Sequence, residues 1–241
     1  MSAALPFPLA PAPFTGRSRV TEPGACFDWL RQGWALFSAS PGLWLGQTLL
    51  FLLGLLVPAT VPLLGLLVSA LLLPLLGAGM LSACQRSARG EAPAPADLLA
   101  GFRDRGGGLV LLGLLHLLGL AGITLLLWSI GNGAQQAAGF GSLLGGWLLN
   151  GLLAVILFLP LAMAFWFAPA LVLFHRMSPL QALKASFGAC LKNWLAFLVF
   201  GLLLSILLFF AALPLGLGFL VLIPVLFGAL HASYRDIFVG V

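Results

Sequence analysis

Apolar runs and short polar stretches alternate along this chain so that every charged side chain falls into one of four clusters. These are a head (Arg17, Arg19, Glu22, Asp28, Arg31), a first connector (Arg86, Arg89, Glu91, Asp97, Arg103, Asp104, Arg105), a second (Arg176, Lys184, Lys192) and a tail (Arg235, Asp236). Between successive clusters lies enough apolar sequence to cross a bilayer twice, at about 20 residues per helical crossing. Six transmembrane helices are predicted, over about 43–57, 63–84, 109–130, 143–174, 195–213 and 216–233, forming three hairpins with all charges on one face. Val57-Pro58-Ala59-Thr60-Val61-Pro62 and Pro214-Leu215-Gly216 read as tight turns. Gly131 to Ser142 is polar but uncharged (Asn132, Gln135, Gln136) and is expected as an outer loop, since hydrocarbon cannot satisfy such groups. The fourth run is longer than one perpendicular helix requires, so a tilt, a kink at Pro160 or Pro169, or an interfacial turn is expected.

A short amphipathic segment precedes each hairpin. Phe27, Leu30, Trp34 and Phe37 recur at helical spacing while Asp28, Arg31 and Gln32 point elsewhere. Asp97 reads as an N-cap before Leu98, Leu99 and Phe102, and Ser178-Pro179 opens a helix with Leu180, Leu183, Phe187, Leu191 and Trp194 on one face. Each segment carries a Gly or Ser before an aromatic (Gly33-Trp34, Gly101-Phe102, Ser186-Phe187), and each returning span carries a proline (Pro74, Pro160, Pro224) on its way to a basic residue. The pattern predicts a degenerate threefold repeat of an interfacial elbow helix plus a hairpin. Residues 1–23, rich in Ala and Pro and without the ~7–15-residue apolar run of a secretory signal, are expected to be a disordered cytoplasmic tail. Residues 24–241 form a single transmembrane helical domain in this reading.

Composition sharpens the class to an all-α polytopic membrane bundle. The chain is 61% hydrophobic and 7% charged, with mean hydropathy +1.14, where soluble domains carry about 25% charged residues. A net charge of +5 and a pI near 9.9 would suit nucleic acid only on a folded basic face, and no soluble domain is present to supply one. Retention of Arg- and Lys-rich loops in the cytoplasm explains the same surplus, and it places both termini inside. Cys26, Cys84 and Cys190 map to the charged side, away from an oxidising compartment, so no disulfide is expected. No Cys-x-x-Cys or Cys/His pairing suggests a metal site.

Little else in the sequence carries chemistry. His116 is the titratable side chain that lies well inside a span, about 10 Å from its charged end at helical rise, but no acidic partner lies in any span to make a proton relay. Asn150, near the outer end of the fourth run, is too distant in depth to pair with it. His175 and His231 read as interfacial groups, as do Gln47 and Thr124. There is no His-Glu-x-x-His, no phosphate loop and no intramembrane carboxylate pair, so no catalytic, cofactor-binding or metal-binding residue is assigned and a non-enzymatic protein is expected. Gly42 with Gly46, Ala70 with Pro74, and Gly113 suit close helix contact. Trp34, Trp44, Trp128, Trp147 and Trp194 suit boundary anchors. What the elbows add is a basic collar of Arg31, Arg103, Arg105, Lys184 and Lys192, able to attract anionic headgroups at about 1 kcal/mol per basic residue.

Gly33-Trp34-x-x-Phe37 with Ser40-Pro41-Gly42-Leu43-Trp44, Leu99-Ala100-Gly101-Phe102 and Ala232-Ser233-Tyr234-Arg235-Asp236-Ile237-Phe238 resemble a family of uncharacterised proteobacterial inner-membrane proteins with six helices. More distantly, Ser178 to Phe187 with Lys192-Asn193-Trp194 resembles the elbow helices of the membrane domain attached to some glycerophosphodiester phosphodiesterases, a domain without catalytic residues of its own. The first resemblance implies an architecture and no established activity. The expected role is therefore to organise membrane lipids, a protein partner or further copies of the chain through the collar, without nucleic acid. A small-molecule transporter or channel subunit is the alternative.

Overall fold

A computed structural model of the chain describes residues 16–62, 64–136 and 140–240, with the side chains of 66, 132–136 and 140–144 left aside. Its helices are α1 (Ala25–Ala39), α2 (Pro41–Ala59), α3 (Leu64–Ala88), α4 (Ala100–Gln136), α5 (Phe140–Trp166), α6 (Ala168–His175), α7 (Pro179–Lys192), α8 (Trp194–Ala212) and α9 (Phe219–Tyr234). A 3-10 turn (Pro95–Leu99) leads into α4, and a π-helical turn (Arg235–Val239) follows α9. Among the described residues, six helical stretches are long and apolar enough to cross a membrane: α2, α3, α4, α5 with α6, α8, and α9.

Several elements differ from their sequence reading. The break expected at Gly106-Gly107-Gly108 falls one residue earlier: the short helix after Asp97 and the third span meet in a kink at Arg105, where the backbone leaves helical values (φ −149°, ψ 30°). Asp97 is not an N-cap of that helix. It sits inside the 3-10 turn, where its carboxylate accepts from the Ala94 N–H (2.8 Å) and from Arg86 (3.0 Å). The expected outer loop also shrinks, because α4 extends to Gln136 and α5 starts at Phe140, leaving a connector outside the described residues. Of the expected tail, residues 1–15 are likewise outside them. Residues 16–22 are held down, with the Arg19 N–H donating to Ile237 O (3.0 Å).

The long fourth run is divided at Phe167, two residues before Pro169, while Pro160 lies within α5. A helix would close a bond there from the Phe167 N–H to Met163 O. Instead the Ser186 hydroxyl of α7 sits between them, accepting from the Phe167 N–H (2.9 Å) and donating to Met163 O (2.7 Å). A side chain inserted into the backbone ladder is a recognised cause of a sharp bend.

Packing is densest toward the charged end. The largest buried cluster joins Cys26 and Trp29 of α1, Leu81 of α3, Leu109 and Leu112 of α4, Phe167, Leu171 and Val172, Ala189 and Cys190 of α7, and Tyr234, Ile237 and Phe238. Within the spans α3 and α9 are central, half or more of each being buried, whereas α2, α4, α5 and α8 turn most of their surface outward. The shorter helices dock by close backbone approach. A Cβ on Gly33 of α1 would lie 2.8 Å from Ala229 N of α9 and closer still to Val225 O. A Cβ on Gly101 would lie 3.0 Å from the Leu75 carbonyl carbon of α3. α7 uses Ser186 against α5 in the corresponding way. Gly113 also meets α3 closely (2.9 Å to Leu71 Cα), but Gly42 and Gly46 face open space, so the expected contact through that pair is not made within the chain.

Candidate functional site

The four charge clusters meet at one end of the bundle. Arg19 pairs with Asp236, joining head to tail. Asn193 joins the head to the end of α7: its amide donates to Arg19 O (3.0 Å) and Ala189 O (2.9 Å), and its oxygen accepts from the Thr21 N–H (2.7 Å) and hydroxyl (3.1 Å). Trp29 donates its indole N–H to Asp236 (2.9 Å). Gly108 abuts Val172 and Pro179, bringing the first connector to the second. Every one of these contacts requires an even number of crossings between clusters.

The predicted collar residues differ in setting. Arg103, Lys184 and Lys192 are exposed and make no ion pair among the described residues. Arg31 is exposed and pairs with Asp28 (3.2 Å), a contact of little energetic weight in solvent. Large apolar side chains are exposed beside these cations: Phe27 and Trp34 on α1, Phe102 next to Arg103, and Leu180, Leu191 and Trp194 around Lys184 and Lys192. Arg105 is different, being half-buried at the α4 bend, with its Nε fully shielded and without a hydrogen-bond partner among the described residues. It lines an open polar pocket of about 410 Å3 with Ser82, Gln85, Asp104, Phe174 and Arg176. Ser82, Gln85 and Arg176 were not legible as site residues, although Ser82 lies one turn before Arg86, Gln85 directly precedes it, and Arg176 follows His175 at the end of an apolar run.

His116 and Asn150 are not brought together. His116 packs at a tilt against Phe165 (4.6 Å between centroids) and lines an apolar cavity of about 260 Å3 with Leu73, Pro74, Leu112, Trp166 and Phe227. Asn150 lies against Gly131 at the far end of α4. His231 is not an interfacial group: it is 4% exposed, within the ring cluster of Phe174 and Tyr234, and His175 Nε2 is 2.5 Å from the Tyr234 hydroxyl. Gln47 and Thr48, at 2% and 0% exposure, are core residues of α2. Trp44 is likewise no boundary anchor, being 1% exposed with its N–H on Leu36 O (2.9 Å). Trp34, Trp128, Trp147 and Trp194 are exposed. All three cysteines are buried free thiols. Burial raises the Cys26 thiol above its usual range and pushes Cys190 up to about 12. No group of three His, Cys, Asp or Glu among the described residues is placed to hold a metal.

A Burkholderia thailandensis protein described as a "Probable inner membrane protein" is 32% identical over 207 residues, covering 80% of this chain and 74% of the relative. The chain belongs to that protein's family. No family model matches the chain, and no solved structure is similar to it. Membership agrees with the six apolar helices: this is a multi-pass integral protein of the bacterial inner membrane, with no biochemical role attached to the family.

Proposed function

We propose that the protein is a non-enzymatic organiser of anionic lipid at the cytoplasmic face of the inner membrane. In this reading both termini and all four charge clusters are cytoplasmic, and α1, the Pro95–Gly101 region and α7 are elbows of three repeated units, each docked on the returning span of the preceding unit in a closed ring. The backbone approaches of Gly33 to α9, Gly101 to α3 and Ser186 to α5 support that cyclic order. The observation that carries the lipid role is the pairing of unneutralised cations with exposed apolar side chains directly after the second elbow and along the third: Arg103 with Phe102, Lys184 with Leu180, Lys192 with Leu191 and Trp194. An interfacial helix buries its apolar face among acyl chains while its cations meet phosphates, each basic residue contributing about 1 kcal/mol near an anionic surface. The apolar lining around His116 supports this reading over a hydrated transport path.

Lipid analysis of protein extracted from its own membrane in polymer-bounded discs tests the proposal. Phosphatidylglycerol and cardiolipin should be enriched over phosphatidylethanolamine around the wild type, and Arg103→Gln/Lys184→Gln/Lys192→Gln should bring the ratio toward that of the bulk membrane. Identical lipid profiles for the two proteins would refute it.

A further inference from the structure

We infer that the pocket between α3, the α4 bend and the end of α6 is a discrete binding site for a phosphodiester anion, distinct from the diffuse collar. This deepens the lipid-organising reading and rests on it for the identity of the ligand's source. Two arginines from different helices line the pocket, with the hydroxyl of Ser82 and the amide of Gln85 as additional donors and one carboxylate, Asp104. Arginine presents a planar fork of donors suited to phosphate oxygens. Neither Arg105 nor Arg176 forms an ion pair among the described residues, and Arg105 Nε is shielded from solvent without a protein acceptor. A shielded guanidinium nitrogen with no acceptor is costly unless a ligand supplies one.

The backbone at both arginines departs from regular helix. Arg105 occupies the break in α4. Arg176 caps α6 in the left-handed region (φ 55°, ψ 27°), a conformation unfavourable for a residue with a Cβ. Two cations against Asp104 leave one positive charge, which matches a singly charged phosphodiester. A phospholipid headgroup and a soluble phosphate ester share this chemistry. The pocket's place at the charged ends of membrane-spanning helices favours the headgroup.

Native mass spectrometry of the full chain in mild detergent tests the site, with added phosphatidylglycerol or phosphatidylcholine as probes. The wild type should retain one phosphatidylglycerol in preference to phosphatidylcholine. At about fivefold per arginine, Arg105→Gln/Arg176→Gln should weaken retention on the order of 25-fold, whereas Arg105→Lys, which keeps the charge but loses the planar fork, should fall between the wild type and Arg105→Gln. Persistence of the adduct in millimolar inorganic phosphate assigns the site to lipid; displacement assigns it to a soluble phosphate ester. Equal retention of the two lipids, or a double variant that holds phosphatidylglycerol as the wild type does, would overturn the site. The Arg103→Gln/Lys184→Gln/Lys192→Gln protein separates the two ideas: a normal lipid profile there, with an adduct still dependent on Arg105 and Arg176, removes the collar and leaves the site standing.

Discussion

Replacing Ser186 with alanine removes one buried hydroxyl and strands two backbone groups. The Phe167 N–H loses its acceptor at 2.9 Å, and Met163 O loses a donor at 2.7 Å but keeps the weak Cys190 thiol at 3.5 Å. Phe167 and Ser186 are both fully buried, so no water replaces the hydroxyl. An ordinary interhelical hydrogen bond in a membrane protein is worth about 0.6 kcal/mol when deleted, because the unfolded chain in the membrane finds other partners. A buried donor left unsatisfied costs about 1–3 kcal/mol, so the expected loss is about 2 kcal/mol, dominated by the Phe167 amide. For a chain of this length that corresponds to roughly 4–8 °C in melting temperature. The control is Ser205→Ala, since that hydroxyl is exposed and donates only within its own helix to Gly201 O. Equilibrium unfolding in mixed micelles, with Ser205→Ala and wild type in parallel, measures the difference. If Ser186→Ala is within 0.5 kcal/mol of the Ser205→Ala protein, the hydroxyl does not hold the α5–α6 break and the account of that bend is wrong.

Other outcomes follow from the same contacts. Gly33→Ala and Gly101→Ala should each destabilise by about 1–3 kcal/mol through forced separation of helices, whereas Gly42→Ala, which meets nothing, should be neutral or gain up to about 1 kcal/mol of helix propensity; melting curves rank them. Asn193→Ala should release residues 16–22 and open Arg17 and Arg19 to trypsin, with cleavage rate as the readout. Cys26 and Cys190 should resist maleimide at pH 8 until the protein is unfolded. Because burial raises both thiols above their unfolded value near 9, the neutral form favours the fold below that pH, and this contribution is lost as pH rises above it, for Cys190 between about 9 and about 12. A cysteine placed at exposed Arg89 should be labelled from the cytoplasmic side of oriented vesicles; labelling from the periplasmic side would invert the proposed orientation.

The six apolar helices were legible because insertion is decided by summed hydropathy, which sequence carries directly. Turn chemistry was less faithful. Gly106-Gly107-Gly108 reads as a break, and a break is there, but the residue that leaves the helix is Arg105 just before the glycines, a placement glycine's weak propensity does not specify. The depth of a polar side chain was least legible. Gln47, Thr48 and His231 lie in apolar helices, where hydropathy reports the span and not the face, and burial of each is set by its neighbours on α3, α9 and α6. The collar cations could be named from charge alone, but the pocket of Arg105 and Arg176 could not. It arises from a bend and a left-handed cap, local geometries that leave little trace in composition.

The concentration of packing at the charged end has a physical origin. Between helices in lipid there is no hydrophobic driving force, because acyl chains solvate leucine as well as another helix does. Association there depends on close backbone approach and hydrogen bonds, and much of α2, α4, α5 and α8 is accordingly left facing outward. At the water boundary the hydrophobic effect acts again, at about 25 cal/mol per Å2 of apolar surface removed. On the proposed reading, the buried faces of α1 and α7 that carry Trp29, Phe37, Ala182, Ala189 and Cys190 lie at that boundary. The short amphipathic helices therefore do two jobs with opposite faces. On that reading one face supplies burial that fastens the spans together where the hydrocarbon cannot, and the other exposes Phe27, Trp34, Leu180, Lys184, Leu191 and Lys192. A change that loosened an elbow, such as Gly33→Ala, should on this argument weaken the bundle and the collar together, whereas neutralising Arg103, Lys184 and Lys192 should alter lipid association at unchanged melting temperature.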